Sequence, residues 1–375
     1  MSKVKVMVGS PQSDINQIYK TGYSCLDDVI VVDRGEEIIG FYPSTEVERA
    51  RKNSICDKVL DLSRLINSLN GSRDYLVSTA GALAKYLIDN KIKKIEVSQD
   101  FPVFVADYLR YFDISINIAL DSLYPEREIK TPREISHIKE CSDINVRAMD
   151  MVHTMLADSS VNANGELLYK GAVLTSEFIQ SELFCFFLRN GLAADSVIVS
   201  IGDQCCDPHE PGYGAILSEK SIVVDIYPYD RRTHYYSDMT RTFCKHKASE
   251  ELQRLYNTVK HAQEHALTQV RAGINARELH TWIQNYFSDK GYKTGIINDT
   301  LQGFFHGTGH GVGLECHEGP YVSTNGKILK SHQFVTVEPG LYYMGIGGVR
   351  IEDLVLVEDN GCQIMTSYPK ELIVE

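Results

Sequence analysis

At 375 residues the chain is long enough for one large domain or two ordinary ones, and two is the expectation. Its 38 Lys and Arg against 50 Asp and Glu give a formal net charge of −12, and no basic run interrupts that balance, which argues against a nucleic-acid partner and against an anionic membrane surface. The opening MSKVKVMVGS lacks the apolar core and cleavage site of a secretory signal, and nowhere do about 18 apolar residues run together, so a cytoplasmic protein is expected. Nine scattered cysteines, with only Cys205 and Cys206 adjacent and no C-x-x-C, read as reduced and mostly buried thiols.

In chain order, DVIVVDRGEEIIGF at residues 28–41 reads as two strands around Arg34 and Gly35. The helical pattern of ALAKYLID then leads into a further strand, KKIEVS, so the first third is a small α/β unit. A boundary falls near YPEREIKTPREISHIKE. Thr131 can cap a helix there, Pro132 fits its first position, and Glu134 completes a capping box. The organisation expected is an accessory unit over 1–127 and a second unit over 128–375. In the second, Ile135, Ile138, Cys141 and Ile144 recur at helical spacing, and ELQRLYNTVKHAQEHALTQV is another amphipathic helix. Strand-like runs (SIVVDIY, HYYSDMTRTF, FVTVEPGLYY and GVRIEDLVLV) are interleaved with these helices. Many look hairpin-connected, which is the pattern of an α+β fold.

The acids on those runs carry the chemistry. Asp225 and Asp238 flank the polar turn DRRT. If that hairpin turns at Arg231 and Arg232, the two aspartates face each other, and facing acids call for a cation between them. The same arithmetic holds for Glu338 and Glu352, which are centred on Gly345 in MGIGG. Four carboxylates plus one imidazole, with His310 in the glycine-rich HGTGHGVG as the candidate, make an oxygen-rich shell suited to two divalent ions. The alternative for any single one of these acids is a solvated strand face or a turn. The i, i+4 pair His261 and His265 reads as a solvated helix face, and Arg231 and Arg232 as an exposed turn. H-E-x-x-H, G-x-G-x-x-G, the P-loop and G-x-S-x-G are all absent.

Taken in order, Asp225, Asp238 in SDMTRTF, His310 in HGTGHGVG, Glu338 in TVEPGLY and Glu352 in VRIED resemble the pita-bread-fold metallopeptidases, the family of methionine aminopeptidase, Xaa-Pro aminopeptidase and prolidase. The resemblance is strong over roughly residues 130–370. More weakly, the first third resembles the α/β domain of the Xaa-Pro aminopeptidase and creatinase branch. The resemblance implies that Asp225 chelates one metal, Asp238 and Glu352 bridge both, and His310 and Glu338 complete the other. Glu338 would also be general base. His317 in HEGP and His209 in DPHEPG match histidines that hold the substrate carbonyl and stabilise the tetrahedral intermediate. His306 matches a substrate-facing position beside the leaving residue, and Arg350 an arginine that supports the site electrostatically. Asp225 and Asp238 stand further apart than is usual in the family, which implies a longer hairpin.

The expected reaction is hydrolysis of the Xaa-Pro bond at the N-terminus of peptides with proline second. That bond is a tertiary amide lacking the N–H that strand-binding peptidases use. HEGP continues as Tyr321-Val322-Ser323, without the arginine that prolidases often place there, which favours an Xaa-Pro aminopeptidase. Xaa-Pro dipeptidase is the alternative, and a metal-free creatinase-like hydrolase or a non-catalytic peptide-binding module stand further back. Manganese is the expected metal, with cobalt, iron or zinc as alternatives. The resemblance also implies a homodimer.

Overall fold

The computed structural model describes residues 3–375 and resolves two compact units, Met1–Arg127 and Glu128–Glu375. The first is a six-stranded mixed sheet in the order Lys58–Asp61, Ile38–Tyr42, Val29–Asp33, Val4–Gly9, Lys94–Val97, Ser115–Ile118. Alternation along the central strands explains its two apolar faces. Val6, Val8, Ile30, Val32, Ile39 and Phe41 pack on one side with the Thr79–Asp89 helix, while Met7, Val29, Val31 and Tyr42 pack on the other with Tyr124. Burying each such aliphatic side chain is worth about 1.5–3 kcal/mol, so the apolar faces set the strand register.

The second unit opens with the helix Pro132–Ala157. Its start is set by local chemistry: Thr131 accepts from Glu134 N, Glu134 returns a carboxylate to Thr131 N, and Pro132 occupies the first turn. This helix and Ser176–Arg189 bury Cys141, Met149, Val152 and Phe187 with a sheet ordered Val197–Ile201, Ile222–Ile226, Met239–Lys245, Ile373–Val374. A second core lies under the helices Glu250–Gln269 and Ala276–Asp289. It includes Leu255, Val259, Ile283, Phe287, Val335, Val349 and Val355, and it covers the Phe334–Val337, Asp353–Glu358 and Gly361–Ile364 strands. His265 on the first of these helices is half-buried and stacks on Trp282 at 3.8 Å, so the His261/His265 face is partly an interhelical contact rather than a purely solvated one.

Two hairpins bring the acidic segments together. The first differs from the sequence expectation. Ile226 pairs with Met239 and Asp225 with Thr240, so Asp225 does not face Asp238 directly. The turn is centred between Arg232 and Thr233, because the Asp230 carboxylate accepts from Arg232 N and Thr233 N while His234 takes a left-handed φ of 63°. The shift of the partner is two residues, and an even shift keeps both aspartates on one face. The second hairpin turns on Gly345, with Val337 paired to Asp353 and Gly340 to Arg350, a common register that brings Glu338 opposite Glu352.

Candidate metal centre

The ladder between these last two strands is interrupted at the glutamates, where Pro339 has no N–H to offer. Their backbone amides bond outward instead. Glu338 N donates to Thr308 O at 2.8 Å and Glu352 N to Thr240 O at 3.0 Å. His310 N in turn donates to Thr336 Oγ1 at 3.1 Å. Segments carrying Asp238, His310, Glu338 and Glu352 are thus stitched together by two main-chain bonds and one main-chain-to-threonine bond, which fixes where their side chains converge.

Ligand atoms of Asp238, His310 and Glu352 all lie within 4.8 Å of one another, and all three residues are buried. His310 Nε2 stands 3.4 Å from Glu338 Oε1 and 3.7 Å from Asp238 Oδ2. Its Nδ1 lies 3.1 Å from Gly311 O, and since a carbonyl can only accept, Nδ1 carries the proton and Nε2 turns a lone pair toward the acids. Burial, reinforced by His317, pulls His310 down to about 3, so it is neutral at ordinary pH.

Among the carboxylates, burial pushes Glu338 up to about 8, with Arg350 opposing and Asp225 adding to the shift. Burial and the neighbouring acids raise Asp238 and Glu352 well above the ordinary range. Asp225 binds Arg350 Nη2 through Oδ2 at 2.7 Å, and its other oxygen, Oδ1, is buried without a partner. Converging lone pairs, an orphaned carboxylate oxygen and acids that ionise only reluctantly are what a divalent-cation site looks like when described from its protein atoms alone. The five residues fit such a group.

Around the acids, the Arg350 guanidinium donates to Asp225, to Tyr342 Oη at 3.1 Å, to Thr240 Oγ1 at 3.3 Å and to Pro208 O at 3.3 Å. The last bond anchors the loop carrying His209, an exposed residue close enough to influence His306 and His317 electrostatically. His317 is also exposed, its ring 4.2 Å from that of His310 in an edge-on arrangement. His306 is half-buried. Its Nδ1 is 2.7 Å from Gly307 O and its Nε2 is 2.8 Å from Tyr342 Oη. Burial and Arg350 pull it down to about 3, and the neutral ring accepts from the tyrosine.

Sequence reasoning passed over Tyr342, Thr240, Thr308, Thr336 and Arg241, although all five lie inside or beside the motifs it used. Arg241 is fully buried. It donates to Asp353 Oδ1 at 2.6 Å, to Glu352 O, and to the carbonyls of Thr240, Thr366, Tyr368 and Pro369, clamping the Glu352 strand to the Asp238 strand. Lys130 forms a buried ion pair with Glu318, the glutamate of HEGP, at 2.7 Å.

This chain belongs to metallopeptidase family M24, whose sequence profile matches residues 136–359. An uncharacterized peptidase of Staphylococcus haemolyticus is 29% identical over 372 residues, covering 95% of this chain and 93% of the relative. The Xaa-Pro dipeptidase from Bacillus anthracis superimposes with a TM-score of 0.81 at 25% identity, covering 99% and 94% of the two chains. The X-Pro aminopeptidase of Thermotoga maritima gives 0.80 at 23% identity over 99% and 97%, a likeness of fold. The protein is therefore a metallopeptidase with the two-domain pita-bread architecture of the prolidase and Xaa-Pro aminopeptidase branch. No helix among the described residues is long and apolar enough to cross a membrane.

Proposed function

We propose that the protein is an Xaa-Pro aminopeptidase of the cytoplasm, acting as a homodimer, in which Asp225, Asp238, His310, Glu338 and Glu352 hold two divalent ions. The observation that carries the reading is the convergence of Asp238, His310 and Glu352, with Glu338 3.4 Å from His310 and Asp225 Oδ1 buried and unpartnered. When bound, the ions polarise the scissile carbonyl and acidify a water.

The chain's own residues do the rest. Glu338, at the cluster and partly open to solvent, receives the proton of the attacking water and passes it to the leaving nitrogen. His317 and His209, exposed on the rim, donate to the oxygen on which negative charge develops. Arg350 holds Asp225 in a fixed orientation and, through Tyr342, sets the tautomer of His306. Tyr321 follows HEGP as an exposed phenol, with no guanidinium to seize the carboxylate of a dipeptide, which favours longer peptides. Dipeptidase activity is the second reading, favoured by the likeness to the B. anthracis Xaa-Pro dipeptidase.

Release of alanine from Ala-Pro and Ala-Pro-Ala, measured side by side after chelation and after return of Mn(II) or Co(II), tests this. Metal-dependent cleavage with the tripeptide preferred is expected. Preference for Ala-Pro would turn the assignment to a dipeptidase, and metal-independent cleavage would remove the proposed centre.

A further inference from the structure

His317 stands one residue before the strand Glu318–Val322, and its exposed ring makes no hydrogen bond among the described residues. Whatever aims it must act through its neighbours in the chain. The residue after it is an anchor. Glu318 Oε1 lies 2.7 Å from Lys130 Nζ, with the two side chains only 9% and 1% exposed. Glu318 also pairs with Gly311 across the ladder, and a Cβ on Gly313 would collide with the Glu318 carboxylate, so that group packs against the segment just after His310. Lys130 is itself fixed in place. Its N donates to His332 O at 2.9 Å, and Thr131 beside it opens the capped helix. Two residues earlier, Glu128 accepts from Gln333 Nε2 at 2.9 Å and fills the space that a Cβ on Gly319 would need. Residues 128–130 therefore grip the chain directly after His317. Successive side chains of an extended segment point to opposite faces, so holding Glu318 on one face turns His317 to the other, where its ring lies 4.2 Å from that of His310.

We infer that Lys130 is a positioning residue for His317, acting through the Glu318 carboxylate. The inference rests on the role proposed above for His317 and deepens it by naming what holds that side chain toward the site. A buried ion pair gains little stability over apolar residues of the same volume, because desolvation offsets the attraction. What it does supply is a fixed distance and direction, and here these are delivered one residue away from a histidine that has no hydrogen bond of its own. Misplacing a group by about 1 Å costs an enzyme up to about 10²-fold in rate, so a device of this kind bears on turnover without touching the substrate.

The test compares substitutions in the full chain, reloaded with metal for turnover and metal-free for spectroscopy. Lys130→Met is expected to lower kcat for Ala-Pro-Ala by about 10- to 100-fold with KM and metal content little changed, and Lys130→Arg to recover most of the rate. In a His317→Ala background Lys130→Met should cost no further kcat, because the residue it aims is gone. Glu318→Gln, which keeps the shape and removes the charge, should repeat both results and serves if Lys130→Met does not fold. In metal-free protein the ring resonances of His317, assigned by their loss in His317→Ala, should shift or broaden in Lys130→Met and stay in place in Lys130→Arg. An equal loss of kcat in both backgrounds, or undisturbed His317 resonances, would make the pair purely structural and overturn the inference. Wild-type turnover by His317→Ala, with the resonances still answering to Lys130, would overturn the catalytic role of His317 and leave its positioning by Lys130 standing.

Discussion

Each unit of the molecule buries an aspartate, and the two are treated in opposite ways. In the first unit Asp33 accepts from Gly35 N at 2.7 Å, from Tyr124 Oη at 3.0 Å and from Lys20 Nζ at 3.1 Å. Burial alone would raise its carboxyl, but these donors outweigh it and hold the group below its ordinary value. In the second unit Asp225 receives one guanidinium on one oxygen and nothing on the other, and it stands among acids that burial drives upward. A carboxylate buried for structure has its donors supplied by the protein. One buried for chemistry is left short of donors where a ligand is to bind.

Substitutions that exploit this contrast should separate the two kinds of site. Glu338→Gln is expected to lower kcat by about 10²–10⁴, the usual worth of a general base, without loss of the folded state. Asp33→Asn should leave kcat unchanged while lowering stability, and steady-state assays beside urea titrations check both. Arg241→Met tests the structural half of the second unit. It leaves Asp353 with Lys370 and Gln263 as partners but strips donors from five buried or part-buried carbonyls, and a buried acceptor left unsatisfied costs about 1–3 kcal/mol, seen as a lower urea midpoint. His317→Ala is expected to lower kcat by about 10²–10³ with metal content retained. Equal loss of metal would make the histidine a ligand instead.

The smallest effect concerns pH. Because Asp33 is held below its ordinary value of 3.8, its contribution is present above that pH and is lost as pH falls through the lower folded-state value. The stability gap between wild type and Asp33→Asn should therefore be constant near neutrality and narrow in acid. A gap that widens in acid would contradict the assignment.

Legibility in the sequence followed the range of the interactions. The capping box of Thr131 and Glu134 could be read because its chemistry spans four residues, and the Glu338–Glu352 register because a glycine turn sets it. The Asp225–Asp238 register slipped by two residues because the Asp230 side chain and the left-handed His234 relocate the turn, a detail that hydropathy does not carry. The roles of Thr240, Thr308 and Thr336 were invisible for a different reason. Their bonds cross between segments separated by tens to more than a hundred residues, and only the folded chain brings these together. The bonds of the His306 ring to Tyr342 and the Gly307 carbonyl are likewise set by the fold rather than by the motif.

The central claim is that the unmatched acids of the second unit exist to bind metal for peptide hydrolysis. The most direct measurement is elemental analysis of protein dialysed against chelator and then against Mn(II) or Co(II), with Ala-Pro-Ala turnover recorded on the same samples and on Asp225→Ala. The expected result is two ions per chain in the reloaded wild type, turnover that is lost and regained with them, and fewer ions with little turnover in the variant. Full turnover in metal-free protein, or an unchanged metal count in Asp225→Ala, would contradict it.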